Sequence, residues 1–366
     1  MQGHINDIYI NDKIKAVDAK FEAQKIAFAP LVFQAVKALL DLGILKAISV
    51  SGEKGLSIKE AAQKTGISVY AAEVLIEVAL GMNIIKVLPG KDNDRYILGK
   101  TGWFLLEDEM TRVNFNFVND VCYKGAFELT RSLKTGKPAG LEVFSTEKKT
   151  IYDALAELPK EIQDSWFAFD HFYSDIGFKE SIPIVFSGKP KKIIDIGGNT
   201  AKWAICCCNY DPGVEVLIVD LPGQTLMAEK NAQEAGFSGR IKTKPCNILD
   251  NETTIPGGAD VIWMSQFLDC FSAKEIGRIM AKVKDASGPE TDIYILEPFW
   301  DKQKYEAAAF SLQATSLYFT CMANGNSKMY RYEQFAEIIE NAGFKIVEPH
   351  HYLGSFHYSL LRLRSK

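Results

Sequence analysis

The sequence predicts an α/β protein in which a doubly wound, mostly parallel seven-stranded sheet follows an all-helical N-terminal region. Short β-rich runs alternate with helical segments from Lys191 onward, a pattern typical of parallel strands joined by crossover helices. The first five runs lie at 192–196, 215–220, 241–245, 259–265 and 292–297, with helices expected between them. The last two runs, 345–353 and 357–364, are separated by only three residues and must therefore pair antiparallel.

Size and composition indicate an ordinary globular protein. The chain has 366 residues, enough for two domains, and is 47% hydrophobic and 24% charged. A net charge of -4 gives no general attraction to nucleic acid or to an anionic membrane. No apolar run reaches membrane-spanning length, and the first residues lack the apolar core of a secretory signal. We therefore expect a cytoplasmic protein with neither nucleic acid nor membrane as a partner.

The cysteine pattern argues against a metal site. No C-x-x-C pair is present and histidines are few, so we expect no metal. An odd number of cysteines in apolar settings indicates reduced, buried thiols, with the triplet 206–208 on a helix. The seven cysteines are Cys122, Cys206, Cys207, Cys208, Cys246, Cys270 and Cys321.

The first hundred residues predict a winged-helix arrangement. Residues 31–48 have apolar side chains at helical spacing. Ser57 and Glu60 form a capping box for a helix that ends at Gly66, and Ser68 caps the next helix. The runs 84–88 and 95–98 then predict a hairpin, since the residues between them favour a turn.

A winged helix can read DNA through its second helix, or it can serve as a dimerisation platform. The second helix here, VYAAEVLIEVALGMN, offers almost no basic or amide side chains to a DNA groove. Apolar residues dominate it, and residues 31–48 add further apolar surface. We therefore expect a homodimer formed through this domain, with DNA binding as the minor alternative.

Residues 191–222 carry the most informative functional pattern. A buried-strand run ends at Gly197 and Gly198, a helix follows, and a second strand ends in Asp220. Adjacent glycines allow a sharp turn and close approach of a ligand, and the amides that open the next helix favour a negative group. A carboxylate at the tip of the second strand suits a pair of ribose hydroxyls. The segment therefore predicts a nucleoside-cofactor half-site, although an ordinary turn without a ligand fits the same pattern.

Several motifs, taken together in order, resemble the dimeric O-methyltransferases of the hydroxyindole and caffeate type, in their bacterial form. These motifs are D-I-G-G-N-T-A-K at 195–202, D-L-P at 220–222, P-G-G-A-D-V at 256–261, L-E at 296–297 and N-A-G-F at 341–344. The resemblance implies a Rossmann-like methyltransferase sheet. It divides the chain into a winged-helix dimerisation domain (1–110), a helical linker contributing to the substrate pocket (111–185) and a methyltransferase domain (186–366).

The resemblance also implies S-adenosyl-L-methionine as the cofactor. Asp195 is then expected near the methionine part, and Asp220 is expected to hold the ribose. At three positions the sequence departs from the family: Ala201 replaces a glycine, Asn247 an acid and Ser265 a lysine. The residues expected to bind the cofactor are Asp195, Gly197, Gly198, Asp220, Leu221, Asn247, Ile248 and Ser265.

The segment that corresponds to the family's catalytic residues differs most from the family pattern. The family has a general-base histidine where this chain has Asp269, within the sequence L-D-C-F at 268–271. An exposed aspartate, with a pKa of about 3.9, is a poor base, whereas a buried one can serve. Glu297 matches the glutamate that orients the base in the family. His171, in the aromatic linking helices, is a rival base. A solvated or helix-capping role for Asp269, and an acceptor that requires no base, both remain open.

The leading interpretation is methyl transfer to a small hydroxylated, aromatic acceptor. A non-catalytic regulatory protein that binds the cofactor is the alternative from another class, because the usual histidine is missing. An NAD-dependent oxidoreductase is a third interpretation, since its ribose would use the same acid at Asp220. The final antiparallel hairpin disfavours it, because dinucleotide-binding folds usually lack one.

Overall fold

The computed structural model describes residues 9–90, 94–174, 177–355 and 357–366. The chain divides into two compact units, one ending at Asn116 and the other running from Phe117 to the C-terminus. Each unit has its own hydrophobic core.

The N-terminal unit is built from short helices and one small hairpin. Its elements are α1 (Ala16–Ala27), α2 (Ala29–Asp41), α3 (Ile44–Ser51), α4 (Ile58–Thr65), α5 (Val69–Gly81), β1 (Ile85–Leu88), β2 (Arg95–Leu98), α6 (Lys100–Glu107) and α7 (Glu109–Phe117).

Local signals in the sequence set the ends of α4 and α5. The predicted capping box is confirmed: the Ser57 hydroxyl accepts from the Glu60 amide, and the Glu60 carboxylate accepts from the Ser57 amide. Gly66 ends α4 in the left-handed region, and the Ser68 hydroxyl accepts from the Ala71 amide to cap α5. Strands β1 and β2 pair antiparallel, as predicted for the hairpin.

The helical spacing of residues 31–48 corresponds to two helices in the structure. Helix α2 ends at Asp41 and α3 begins at Ile44, with Gly43 between them at a φ of 74°. Apolar spacing continued through the break, but the left-handed backbone that glycine permits turns the chain there. The apolar side chains of residues 31–48 are therefore divided between α2 and α3.

Apolar side chains remain on the surface of this unit. The more exposed ones along α1 and α2 include Val17, Phe21, Ile26 and Leu31, the last with 70% of its side chain accessible. Among the described residues no single helix is long and apolar enough to cross a membrane, while α1 and α2, bent by 71° between them, pass that test of length and composition as a pair.

The C-terminal unit begins with helices and continues into the sheet. Its helices are α8 (Leu129–Thr135), α9 (Ile151–Ala154), α10 (Lys160–Ser174), α11 (Phe178–Val185), α12 (Lys202–Tyr210), α13 (Pro222–Glu234), α14 (Ala273–Ala286), α15 (Glu306–Tyr318) and α16 (Tyr332–Asn341). Its strands are β3 (Lys192–Ile196), β4 (Glu215–Asp220), β5 (Ile241–Pro245), β6 (Val261–Ser265), β7 (Asp292–Glu297), β8 (Phe344–Leu353) and β9 (Tyr358–Ser365).

The sheet confirms the predicted architecture. In the described part of the chain its seven strands follow the order β5-β4-β3-β6-β7-β9-β8. Strands β3 to β7 run parallel, β9 pairs antiparallel with β7, and β8 pairs antiparallel with β9. Apolar clusters cover both faces, which explains why the parallel strands read as continuous hydrophobic runs.

One connection differs from the expectation. A helix was expected between β5 and β6, but residues 246–260, all of them described, form turns and extended chain. Asp250, Asn251 and the run Pro256-Gly257-Gly258 favour turns and disfavour a helix. Consequently Asn247 and Ile248 lie on an irregular loop at the edge of the sheet, where they can face a ligand.

Candidate functional site

The carboxyl ends of the parallel strands form the wall of a cavity of about 380 Å³. In a doubly wound sheet, ligands bind at this edge, where the chain reverses its direction of winding. Gly197 follows β3, Asp220 ends β4, and Asp269 follows β6. The sequence-predicted residues that line this cavity are Gly197, Asp220, Leu221, Asn247, Ile248 and Asp269.

A second, smaller cavity of about 70 Å³ lies at the same edge. It shares Asp170, Gly197, Asn199 and Gln266 with the larger cavity. The other sequence-predicted residues that line it are His171, Asp195, Gly198 and Ser265. The predicted cofactor residues are thus divided between two adjoining cavities, and the rival base His171 lines the smaller one.

The turn between β3 and α12 leaves little space for side chains. Gly197 has a φ of 76°, and a Cβ there would lie 2.2 Å from the Phe267 ring. A Cβ on Gly198 would lie 2.6 Å from Asp195 Oδ2. Asn199 and Ala201 also have positive φ, at 44° and 68°, a region that non-glycine residues enter at a cost. The backbone therefore bends tightly enough for Asp195 and Asp220 to approach the same ligand.

Asp220 is a well-oriented acceptor. Its Oδ2 accepts a hydrogen bond from the Asn199 amide at 2.8 Å, and its Oδ1 accepts from the Leu221 amide at 2.7 Å. Burial raises the pKa of Asp220 to about 6, while the two amides act in the opposite direction. Asp220 is therefore ionised at neutral pH, and each oxygen keeps acceptor capacity for a hydroxyl.

Asp195 has the opposite protonation state at neutral pH. It is 2% exposed, and its Oδ2 has no hydrogen-bond partner among the residues that the structure describes. Burial, and next the charge of Asp220, raise the pKa of Asp195 to about 8. At neutral pH this carboxyl is therefore largely protonated and can donate a hydrogen bond.

Asp269 is buried beside the larger cavity. It lies in a short helical turn, Leu268–Cys270, and only 4% of it is exposed, so the solvated alternative is wrong. Its Oδ1 lacks a hydrogen-bond partner within the described ranges. Burial raises the pKa of Asp269 to about 6, which places its ionisation close to the working range of a general base.

Glu297 supports the turn that carries Asp269. Its Oε1 accepts hydrogen bonds from the amides of Phe267 at 3.0 Å and Leu268 at 2.9 Å. Burial and the charge of Asp269 raise the pKa of Glu297 well above its ordinary value. The pKa of Asp269 is therefore about 6, whereas burial and the neighbouring charge favour the neutral form of Glu297, which positions the backbone.

Aromatic side chains line the rest of the larger cavity. Trp166 and Phe169 come from α10, and the Trp166 indole donates to the Tyr318 hydroxyl at 2.8 Å. Phe169 stacks on Phe117 with ring centroids 3.9 Å apart. Tyr152 lines both this cavity and a polar outer cavity of about 920 Å³. A flat aromatic molecule therefore fits beside Asp269, and a substituent can extend outward.

Several residues at the site were missed in the sequence. Asp170, Asn199 and Gln266 form part of the wall between the two cavities, and Cys270 lines the larger one. Asn199 and Gln266 belong to turns with positive φ, which a pattern of residue types does not reveal. The acid in the aromatic segment WFAFDHFY was a usable signal for Asp170.

Comparison with known proteins agrees with this geometry. Residues 20–96 match the Dimerisation2-like domain, and residues 184–345 match the O-methyltransferase domain. An L-tyrosine C(3)-methyltransferase of Streptomyces lavendulae is 22% identical over 321 residues, which are 87% of this chain and 85% of that protein. A 3-hydroxy-5-methyl-1-naphthoate 3-O-methyltransferase of Streptomyces sahachiroi is 21% identical over 74% of this chain and 75% of its own length.

A solved structure shares the fold. It is an O-methyltransferase from neocarzinostatin biosynthesis, determined with S-adenosylmethionine and 2-hydroxy-5-methyl naphthoic acid. The TM-score is 0.66 at 16% identity, over 91% of this chain and 96% of that one. The chain therefore contains a Dimerisation2-like domain followed by an O-methyltransferase domain.

Proposed function

We propose that this protein methylates a small phenolic molecule, with Asp269 as the general base and with the residues of the two adjoining cavities holding S-adenosylmethionine. The observation that carries the proposal is the buried carboxyl of Asp269, which lines an aromatic cavity together with Asp220 and lies on a turn that the buried Glu297 supports. A buried carboxyl with a pKa near neutrality replaces the missing histidine as a proton acceptor.

The cofactor fits the residues present. The two oriented oxygens of Asp220 suit the ribose hydroxyls, and Asn247 offers an amide that can both donate and accept at an adenine edge. Asp195 Oδ2 and Ser265 Oγ are buried atoms without a hydrogen-bond partner in the described residues, and both belong to residues that line the smaller cavity. These two atoms would contact the amino-acid end of S-adenosylmethionine. When bound, the cofactor supplies an electrophilic methyl group on sulfur.

The protein's own contribution is orientation and proton transfer. The aromatic walls hold the acceptor ring and exclude water, so that the acceptor oxygen faces the methyl group in line. Asp269 would accept the proton of the acceptor hydroxyl, so that the oxygen becomes a better nucleophile toward the methyl group that the bound cofactor would supply. Glu297 keeps the turn around Asp269 in place through the two backbone amides.

Ring carbon is a second candidate for the methylated atom. The relative named for C(3) methylation of L-tyrosine is matched over 87% of this chain. Carbon 3 of a tyrosine ring lies next to the carbon that bears the hydroxyl, so removal of the phenolic proton activates this carbon as well as the oxygen. The same Asp269 would therefore serve either outcome.

We further propose a cytoplasmic homodimer formed through the N-terminal unit, whose helix-turn-helix and hairpin correspond to a winged helix. The Dimerisation2-like match and the exposed apolar residues of α1 and α2 support this proposal. Helix α5 carries two glutamates and no lysine or arginine, which disfavours nucleic acid as a partner.

The test is thermal unfolding with S-adenosylmethionine, S-adenosylhomocysteine and NADH in parallel, followed by product analysis with phenolic and naphthoic acceptors. Binding at 100 times the dissociation constant should add about 2.7 kcal/mol for either adenosyl ligand and nothing for NADH. Mass and NMR spectra of the product then locate the methyl group on oxygen or carbon. Absence of stabilisation by both adenosyl ligands would refute the proposal, and binding without turnover of any acceptor would favour the regulatory alternative.

A further inference from the structure

Asp170 lies at the junction of the two cavities. It is a residue of α10, half-buried, and one of the four residues that line both cavities. Its neighbours along the helix, Trp166 and Phe169, line the larger cavity, whereas His171 lines the smaller one. Asp170 therefore lies where the part of α10 that lines the larger cavity meets the part that lines the smaller one.

The glycine turn holds Asp170 in place. The Asn199 side-chain amide donates to Asp170 Oδ2 at 3.0 Å, and the backbone amide of the same residue donates to Asp220 Oδ2 at 2.8 Å. Asn199 thus connects the carboxylate at the tip of β4 to the carboxylate on α10. Asn199 has a φ of 44°, in the left-handed region, because it belongs to the tight turn after β3. The turn therefore sets the position of Asn199. Asp170 is held at the junction by a specific contact.

The charges around the junction are mainly negative. In the described residues, two lysines line the two cavities, Lys149 in the larger and Lys202 in the smaller. The aspartates that line them are Asp153, Asp170, Asp195, Asp220 and Asp269, and all but the largely protonated Asp195 contribute negative charge. Such a surrounding favours a cation more than a neutral molecule of the same shape.

We propose that Asp170 recognises the positive charge on the sulfur of S-adenosylmethionine and thereby distinguishes the cofactor from its neutral-sulfur product, S-adenosylhomocysteine. This inference rests on the proposed function. The residues proposed for adenosine, Asp220 and Asn247, line the larger cavity, and those proposed for the amino-acid end line the smaller one. The sulfur joins these two halves of the cofactor, so it falls at the junction that Asp170 shares.

Such a contact has a kinetic consequence. The positive charge on sulfur declines as the methyl group leaves, so a carboxylate beside it stabilises the ground state more than the transition state. Asp170 therefore strengthens binding of the cofactor without accelerating the chemical step. It adds nothing to the retention of the product, because the charge that it recognises has been consumed.

The test is calorimetric titration of the full chain with three ligands: S-adenosylmethionine, S-adenosylhomocysteine and an analogue that carries an amine in place of the methylated sulfur. The variant Asp170→Asn keeps the size of the side chain and can still accept from Asn199. We expect its dissociation constant for the two cationic ligands to rise about tenfold, and that for S-adenosylhomocysteine to change less than about twofold. Asp164→Asn, an exposed position on the same helix with the same loss of charge, is the matched control and should resemble the wild type.

Asp170→Glu keeps the charge and should retain the preference for the cationic ligands. Equal weakening of all three ligands in Asp170→Asn, or no weakening of any, would overturn the inference while leaving the proposed function intact. Loss of all binding in both variants would also overturn it, because Asp170 would then be structural. If the wild type itself binds neither adenosyl ligand, the proposed function fails first.

Discussion

Asp220 and Asp269 line one cavity and have similar pKa values, about 6, but they differ in their hydrogen-bond surroundings. Both oxygens of Asp220 accept backbone amides, and the group stays charged at neutral pH. Asp269 and Glu297 each keep one buried oxygen without a partner in the described part of the chain, and burial raises the pKa of both. Carboxyls at neighbouring strand ends thus differ in how many of their oxygens already accept a hydrogen bond from the protein.

This difference suits the two carboxylates to different functions. A carboxylate that binds ribose hydroxyls must keep its oxygens oriented as acceptors, which the two backbone amides at Asp220 favour. A carboxylate that removes a proton needs an oxygen that can receive it, and Asp269 Oδ1 has no hydrogen-bond partner among the described residues. The two halves of the cleft should therefore respond differently to substitution and to pH.

The largest effect is expected for Asp269→Asn. Removal of the base should lower kcat by about a thousandfold, while the dissociation constant for S-adenosylmethionine stays within about twofold, because the change spares the cofactor half. In the wild type, kcat should be lost as the pH falls through about 6, since Asp269 must be ionised to accept a proton. The measurement is steady-state kinetics from pH 5 to 8.

Glu297→Gln is the matched control for that experiment. Glutamine keeps an oxygen that can accept from Phe267 and Leu268, and it resembles the neutral form of Glu297 that burial favours, so kcat should fall less than about tenfold. A larger loss in Glu297→Gln than in Asp269→Asn would show that the assigned roles are reversed.

A smaller effect, on stability, is expected for Asp195→Asn. The pKa of Asp195 rises from 3.8 to about 8 on folding, so the folded protein holds a proton that the unfolded chain releases. Its stabilising contribution is therefore fully present below pH 4 and is lost as the pH rises through about 8. The free energy of unfolding of the wild type should fall relative to that of the variant by about 1.4 kcal/mol per pH unit, or about 3 kcal/mol between pH 5 and 7.

Urea denaturation of both proteins at several pH values, without ligand, gives that comparison. Parallel curves for the wild type and Asp195→Asn would mean that Asp195 is ionised in the folded protein, which would remove the contrast between Asp195 and Asp220.

The smallest effect is expected for Ala201→Gly. Ala201 has a φ of 68° and is fully buried, so its methyl group packs in the core but its backbone is strained. Glycine would relieve about 1 kcal/mol of strain and lose a similar amount of packing and chain entropy, leaving stability within about 1 kcal/mol of the wild type. Because Ala201 lines neither cavity, affinity for S-adenosylmethionine should be unchanged; a large change in affinity would contradict this placement.

Sequence reasoning predicted the sheet well because its signals are local. Parallel strands buried on both faces read as continuous apolar runs, and the three residues between the last two runs allow only an antiparallel pairing. The caps at Ser57 and Ser68 were equally readable, since a capping box depends on residues three positions apart. The break at Gly43 was missed because glycine inside an apolar helical pattern is tolerated as often as it ends a helix.

The electrostatics of the site could not be read in the same way. Asp195, Asp220 and Asp269 are the same residue type, and each lies within, at or just beyond the carboxyl-terminal part of a strand. Their states depend on which backbone amides the fold aims at them and on how much water it excludes. Asp170 was missed for a related reason: its contact with Asn199 joins residues that are 29 positions apart in the chain.

Trp203 and Trp263, which both line the smaller cavity, stack with ring centroids 3.8 Å apart and planes within 9° of each other. Two indoles so close and so nearly parallel couple their electronic transitions, so the folded protein should carry a distinctive circular dichroism signal and quenched tryptophan emission. A molecule entering the cavity would alter both signals. The protein therefore contains its own optical reporter, which allows occupancy to be followed in real time without a label.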